Sequence, residues 1–176
     1  MLVRARSLPM ASAFAGRGLR AGAAALGLLL AGCMVPEWQK PGTSLAEIEK
    51  GMGRPTAVAP LPDGGTRLVY SRQPAGQQVY HMDFDAMQRL VRVDQVLDLR
   101  HFYMLRNGVD TRESVLREFG PPAKAEKVYS FKGDIWTYRF LDNGNPRRAH
   151  VHIDPQGVVQ RLMFTDESMY LRDPSR

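Results

Sequence analysis

Asp110-Thr111-Arg112-Glu113-Ser114-Val115, closing at Gly120-Pro121-Pro122, restates Ser44-Leu45-Ala46-Glu47-Ile48, closing at Gly53-Arg54-Pro55. The prolines Pro55 and Pro122 are 67 residues apart, and the correspondence continues downstream with a slowly growing offset. Leu68-Val69-Tyr70 matches Trp136-Thr137-Tyr138 at 68, and His81-Met82-Asp83-Phe84-Asp85 matches His150-Val151-His152-Ile153-Asp154 at 69. Leu90-Val91-Arg92-Val93 matches Val159-Gln160-Arg161-Leu162, again at 69. A drifting offset is what small loop insertions between equivalent elements leave behind, so the chain reads as a repeated unit.

Each unit should open with a helix. Ser44 with Glu47, and Asp110 with Glu113, have the spacing of a capping box. Leu45, Ile48 and Met52 fall on one helical face, as do Val115, Leu116 and Phe119. Gly53 and Gly120 suit a helix end, and the prolines beyond them prevent its resumption. A further helix is expected over Leu97–Arg106, stopped by Asn107-Gly108. Alternating residues then mark strands near 66–71, 78–85 and 89–96, and again near 134–141, 147–154 and 158–165. Alternation puts Met82 and Phe84, and likewise Val151 and Ile153, on one face. His81, Asp83 and Asp85, with His150, His152 and Asp154, go to the other. The expectation is an α+β fold of two tandem units, each a helix followed by a three-stranded antiparallel meander.

Upstream of the repeats, Ala21–Gly32 is an apolar stretch of twelve residues, preceded by Arg4, Arg6, Arg17 and Arg20 and by no acid. A membrane-spanning helix needs about 20 residues, so this has the length of a signal-peptide core. It ends in Leu30-Ala31-Gly32-Cys33, which resembles the lipobox of bacterial lipoproteins, and Cys33 is the single cysteine of the chain. The resemblance implies diacylation of Cys33, cleavage before it, and acylation of the new N-terminus. Met34 stands where Asp would retain such a protein in the inner membrane, which implies transfer to the outer membrane, facing the periplasm. The organisation is then 1–32 signal peptide, 33–41 lipidated tether, 42–96 first repeat, 97–165 second repeat and 166–176 polar tail.

The formal charge of +6 shrinks once the signal is set aside. Four arginines and no acids lie in residues 1–32, which leaves +2 on the other 144 residues. That balance removes most of the support for a nucleic-acid-binding role.

The Gly-Thr start (Gly42-Thr43), the Gly-x-Pro helix end and the aromatic strand together resemble the BamE (SmpA/OmlA) outer-membrane lipoproteins. These assist the β-barrel assembly machinery. The segment Arg72-Gln73-Pro74-Ala75-Gly76-Gln77-Gln78 matches that family's Gln-Pro-Gly-containing hairpin. The doubled unit is also similar to β-lactamase inhibitor proteins, which present a concave sheet to a partner enzyme. What the resemblance implies is a lipid- or partner-facing role for Arg72, Gln73, Pro74, Gly76 and Gln77, with Tyr80 beside them. It also implies a scaffold role in outer-membrane protein assembly or envelope integrity. The alternative is an inhibitor-like module that clasps a periplasmic enzyme.

No CxxC, HExxH, phosphate-binding glycine loop or nucleophile elbow is present in the sequence. The reading therefore assigns no enzymatic activity, no cofactor and no metal. His150-x-His152-x-Asp154 is the pattern with most chemical scope, since imidazoles at i and i+2 share a strand face and can share a metal. The plainer interpretation is a polar, partner-facing sheet surface. Trp136, Tyr138 and Phe140, with Tyr70 in the first unit, form an aromatic stripe that fits a core and also fits an interface.

Overall fold

The computed structural model describes residues 35–167, so Leu30, Ala31, Gly32, Cys33 and the tail from Ser168 onward lie outside the described residues. Among these residues the fold is mostly β. Two four-stranded antiparallel sheets have the orders β1-β2-β3-β4 and β5-β6-β7-β8. The first contains β1 (Ala57–Pro60), β2 (Thr66–Ser71), β3 (Val79–Phe84) and β4 (Leu90–Gln95). The second contains β5 (Lys124–Val128), β6 (Phe131–Asp142), β7 (Asn145–Ile153) and β8 (Val159–Asp166). The helices are short: α1 (Leu45–Met52), α2 (Leu99–Phe102) and α3 (Arg112–Phe119).

The expected α+β fold of two helix-then-three-strand units is therefore wrong, and the strands it omitted are β1 and β5. Both are edge strands. β1 is largely exposed and carries Pro60 at its end, while β5 reads Lys-Ala-Glu-Lys-Val and is exposed or half-exposed throughout. A strand with no well-buried face has no reason to alternate apolar and polar residues, so it leaves no periodic signal. The helix over Leu97–Arg106 shrinks to four residues, capped by Asp98, whose side chain accepts from the His101 N–H at 2.9 Å. In α3 the cap is Thr111 rather than Asp110; Thr111 and Ser114 bond reciprocally, and Asp110 accepts from the Arg106 N–H instead.

The two sheets reproduce each other's details. The Gly42 N–H donates to Leu90 O, as the Gly108 N–H does to Val159 O. Both sheets shift register at the same place, between Asp83 and Phe84 and between His152 and Ile153. A Cβ on Gly65 would come within 2.2 Å of Phe84 O, and one on Gly133 within 2.2 Å of Ile153 O, so both strand starts need a residue without a side chain. The Tyr70 hydroxyl donates to Gly53 O at 3.0 Å, and that of Tyr138 to Gly120 O at 2.8 Å. In each case an aromatic from the second strand satisfies the last carbonyl of the unit's main helix.

Two cores follow from the alternation. Ile48 of α1 packs with Leu68, Tyr70, Tyr80, Met82, Phe84 and Leu90 on one face of the first sheet. The opposite face offers Val69 and Val79, which join the larger core of Phe102, Val115, Phe119, Trp136, Tyr138 and Phe140. Helices α2 and α3 thus lie between the inner face of the first sheet and the core face of the second. Phe102 and Phe119 stack at 4.5 Å between centroids. Each such side chain removed from water contributes roughly 1.5–3 kcal/mol. Leu116, expected on the inner face of α3, is 40% exposed.

Tyr138→Phe should leave Gly120 O without its buried partner and cost about 1–2 kcal/mol, with a smaller loss for Tyr70→Phe, whose hydroxyl is less enclosed. Urea denaturation of the two variants beside the parent chain checks the order.

Candidate functional site

The hairpin loop after β2 is engaged within the molecule. β5 stops pairing with β6 at Lys124↔Thr137, which leaves the N–H and C=O of Arg139 unpaired on that edge. The side-chain amide of Gln73 fills the gap: its Nε2 donates to Arg139 O at 2.7 Å and its Oε1 accepts from the Arg139 N–H at 3.3 Å. In effect one glutamine continues the ladder where the strand ends. Arg139 answers in kind, with Nη1 donating to Pro74 O and Ala75 O, each at 2.8 Å. Its Nε donates to Glu167 at 2.6 Å, and Gln77 Nε2 reaches the same carboxylate at 2.9 Å. Glu167 is only 4% exposed. Burial opposes its charge, but the Arg139 hydrogen bond and the nearby arginines hold its carboxyl below the usual range. Gln73, Pro74 and Gln77 thus tie the first sheet to the second. Gly76 closes the loop through its N–H to Arg72 O.

Arg72 and Tyr80 meet beside this loop. The Arg72 guanidinium lies 5.2 Å from the Tyr80 ring centre, and the Tyr80 hydroxyl donates to the Glu37 carboxylate. Burial, then the Glu37 charge, pushes the Tyr80 hydroxyl pKa well up. Tyr80 is 1% exposed, so its body serves the core while its tip holds the segment that precedes the first repeat.

His150 and His152 share the outer face of the second sheet. His150 lies between two threonines across the strands, Thr137 Oγ1 at 3.0 Å and Thr165 Oγ1 at 2.9 Å. His152 stands edge-on to Phe131, with Arg161 at 3.5 Å. Burial, then a neighbouring arginine in each case, lowers both imidazole pKa values. His81 does not join them. It lies on the inner face of the first sheet, under the helices. Among the described residues no three His, Cys, Asp or Glu side chains are placed to hold a metal ion.

That inner face holds a dense charge array. Arg67, Asp83 and Arg92 are direct cross-strand partners on β2, β3 and β4. Arg67 grips Asp83 at 2.6 and 2.8 Å, and Arg92 adds a contact at 3.2 Å. Burial works against the Asp83 charge, yet Arg67 outweighs it and keeps the carboxyl low. Beside them, Asp94 faces His101 at 3.5 Å and Arg100 at 3.8 Å. A cleft of about 320 Å³ opens here, lined by Arg67, His81, Asp94, His101 and Glu118 among others. His81 is 2% exposed and its Nε2 has no partner. This array was legible in principle, because pairing the strands in register puts the three charges in a row.

Burial, reinforced by Arg67, lowers the His81 pKa to about 4. An imidazole held below its unfolded value stabilises the fold fully above pH ~6.5, and loses that stability as pH falls toward the folded value. Between pH 7 and 4.5 the loss from this group should be about 2–3 kcal/mol, and His81→Gln should remove it while the slopes due to His150 and His152 remain. Denaturation at both pH values tests this, and an unchanged pH loss in the variant would count against it. Separately, Gln73→Ala should cost about 1–3 kcal/mol by stripping the Arg139 backbone of both partners, measurable in the same assay at pH 7.

No protein-family model matches the chain, and no curated protein matches it significantly. Two solved structures are similar over most of its length. One is a DUF4309 family protein (YjgB) from Bacillus subtilis, at 14% identity and a TM-score of 0.30, covering 71% of this chain and 79% of the other. The second is an extracellular protein containing an SCP domain from Bacillus anthracis, at 14% identity and a TM-score of 0.28. It covers 74% of this chain, which in turn spans 45% of that protein. At these scores neither carries an inference about fold or function.

Proposed function

We propose that this chain is an outer-membrane lipoprotein facing the periplasm, anchored through acylated Cys33. It acts as a binding or scaffold component in outer-membrane protein assembly or envelope integrity. The observation that carries the reading is Leu30-Ala31-Gly32-Cys33 at the end of an apolar stretch too short to span a bilayer, in a chain with one cysteine. The resemblance of the Gly42-Thr43 start and the Gln-Pro loop to the BamE lipoproteins supports the choice of process. The loop itself works inside the molecule, so the reading places partner contacts elsewhere. The outer face of the second sheet supports such a role: Lys124, Arg161 and Met163 are exposed around the half-buried His150 and Thr165. No helix among the described residues is long and apolar enough to cross a membrane.

Mild crosslinking of the tagged protein in its own membranes, followed by mass spectrometry, tests the proposal. The expected outcome is recovery of barrel-assembly subunits well above a Cys33→Ala control. Reproducible capture of one soluble enzyme with no barrel subunits would overturn it in favour of an inhibitor-like module.

A further inference from the structure

The segment leading into the first repeat is held against the folded body. Pro36–Trp38 forms a 3-10 turn with Pro36 buried. The Trp38 N–H donates to Val35 O and the Gln39 N–H to Pro36 O, each at 3.1 Å, and Gln39 Nε2 returns to Val35 O at 2.9 Å. The Glu37 carboxylate takes the Tyr80 hydroxyl, which ties the turn to the core of the first sheet. Further on, the Gly42 N–H donates to Leu90 O and the Leu90 N–H to Thr43 O, both at 2.8 Å. The stretch from 36 to 43 is thus fastened at both ends. Most of the expected tether is part of the body.

This changes the reach of the anchor. A ten-residue free tether would let the body stand roughly 30 Å from Cys33, whereas three residues, Cys33-Met34-Val35, span at most about 10 Å. The interfacial layer on each side of a bilayer is about 5–7 Å thick. On the lipoprotein reading, a body fastened at Pro36 is held within about 10 Å of its anchored cysteine, close to the headgroups.

One large side chain on the fastened turn is left to solvent. Trp38 is 77% exposed although its neighbours Pro36 and Glu37 are used to dock the turn. An indole has an apolar body and one N–H donor, the chemistry that partitions to the level of lipid headgroups. Lys40 and Arg72, also exposed, add positive charge on the same segment and beside its Tyr80 anchor.

We propose that Trp38 inserts into the headgroup layer of the bilayer that holds the acylated Cys33, so that the turn orients the folded body on the membrane. This rests on the lipoprotein reading above and adds a second, non-covalent contact to it. The acyl chains fix the distance, the Glu37–Tyr80 bond fixes the direction, and the indole occupies the interface.

The chain has two tryptophans, and Trp136, 7% exposed in the core, supplies a constant background. The acylated mature protein is reconstituted into phosphatidylglycerol–phosphatidylethanolamine vesicles whose acyl chains carry bromine close to the headgroup. Trp38 emission should shift to the blue and fall by about half relative to non-brominated vesicles, and Trp38→Phe should abolish that quenching. Acylated, vesicle-bound protein whose Trp38 emission stays water-like and unquenched would overturn the insertion alone. A mass spectrum showing Cys33 without acyl groups would overturn the lipoprotein reading and this inference together, so the two failures are told apart.

Discussion

Helices α2 and α3 are claimed from two sides, and the rest of the fold follows from that constraint. Phe102, Val115 and Phe119 enter the core of the second sheet, while His101, Met104 and Glu118 line the cleft against the inner face of the first. The first sheet is consequently covered on both faces, by α1 on one and by this shared layer on the other. These helices meet the two sheets with an apolar stripe toward the core and a polar stripe toward the cleft. The short, mixed sequence Arg-Glu-Ser-Val-Leu-Arg-Glu-Phe supplies both. It also explains why the inner face of the first sheet carries ion pairs as well as Val69 and Val79.

The same constraint sorts the two histidine faces. Equivalent strand positions place His81 on the first sheet and His150 on the second, yet their surroundings differ. His81 is shut under α2 and α3 beside Arg67, with its charge disfavoured by burial. His150 stays half-exposed between two threonines, on the sheet face that no helix of the described residues covers. One sequence pattern, repeated, therefore yields a buried polar cleft in the first unit and an open surface in the second.

Edge chemistry joins the sheets. Glu167 collects Arg139, Arg148 and Gln77, and Gln73 extends the β6 ladder beyond β5. An ion pair this enclosed carries a large desolvation cost and is worthwhile only when its remaining lone pairs are satisfied, which the three donors accomplish. Residues whose spacing suggests a surface loop thus become the fastening between halves, because the nearest unpaired backbone edge is within reach of their side chains. The fastened Pro36–Trp38 turn shows the same habit on the other side of the first sheet.

How much of this the sequence contained depends on whether a residue's environment is local. The repeat, the Ser44 cap, the helix ends at Gly53 and Gly120, the inner strands and the division of Met82 and Phe84 from His81 and Asp83 were legible, since periodicity and caps act within a few residues. The apolar stretch before Cys33 lies outside the described residues, and its reading rests on the sequence alone. The edge strands β1 and β5 were not legible, because exposed strands impose no pattern, and without them each unit reads as three-stranded. Nor could spacing reveal that Gln73 meets Arg139 across 66 positions, that Glu37 meets Tyr80 across 43, or that one helix layer serves two sheets. Those contacts are set by which surfaces remain unsatisfied after the local elements have formed, and only the packed tertiary structure decides that.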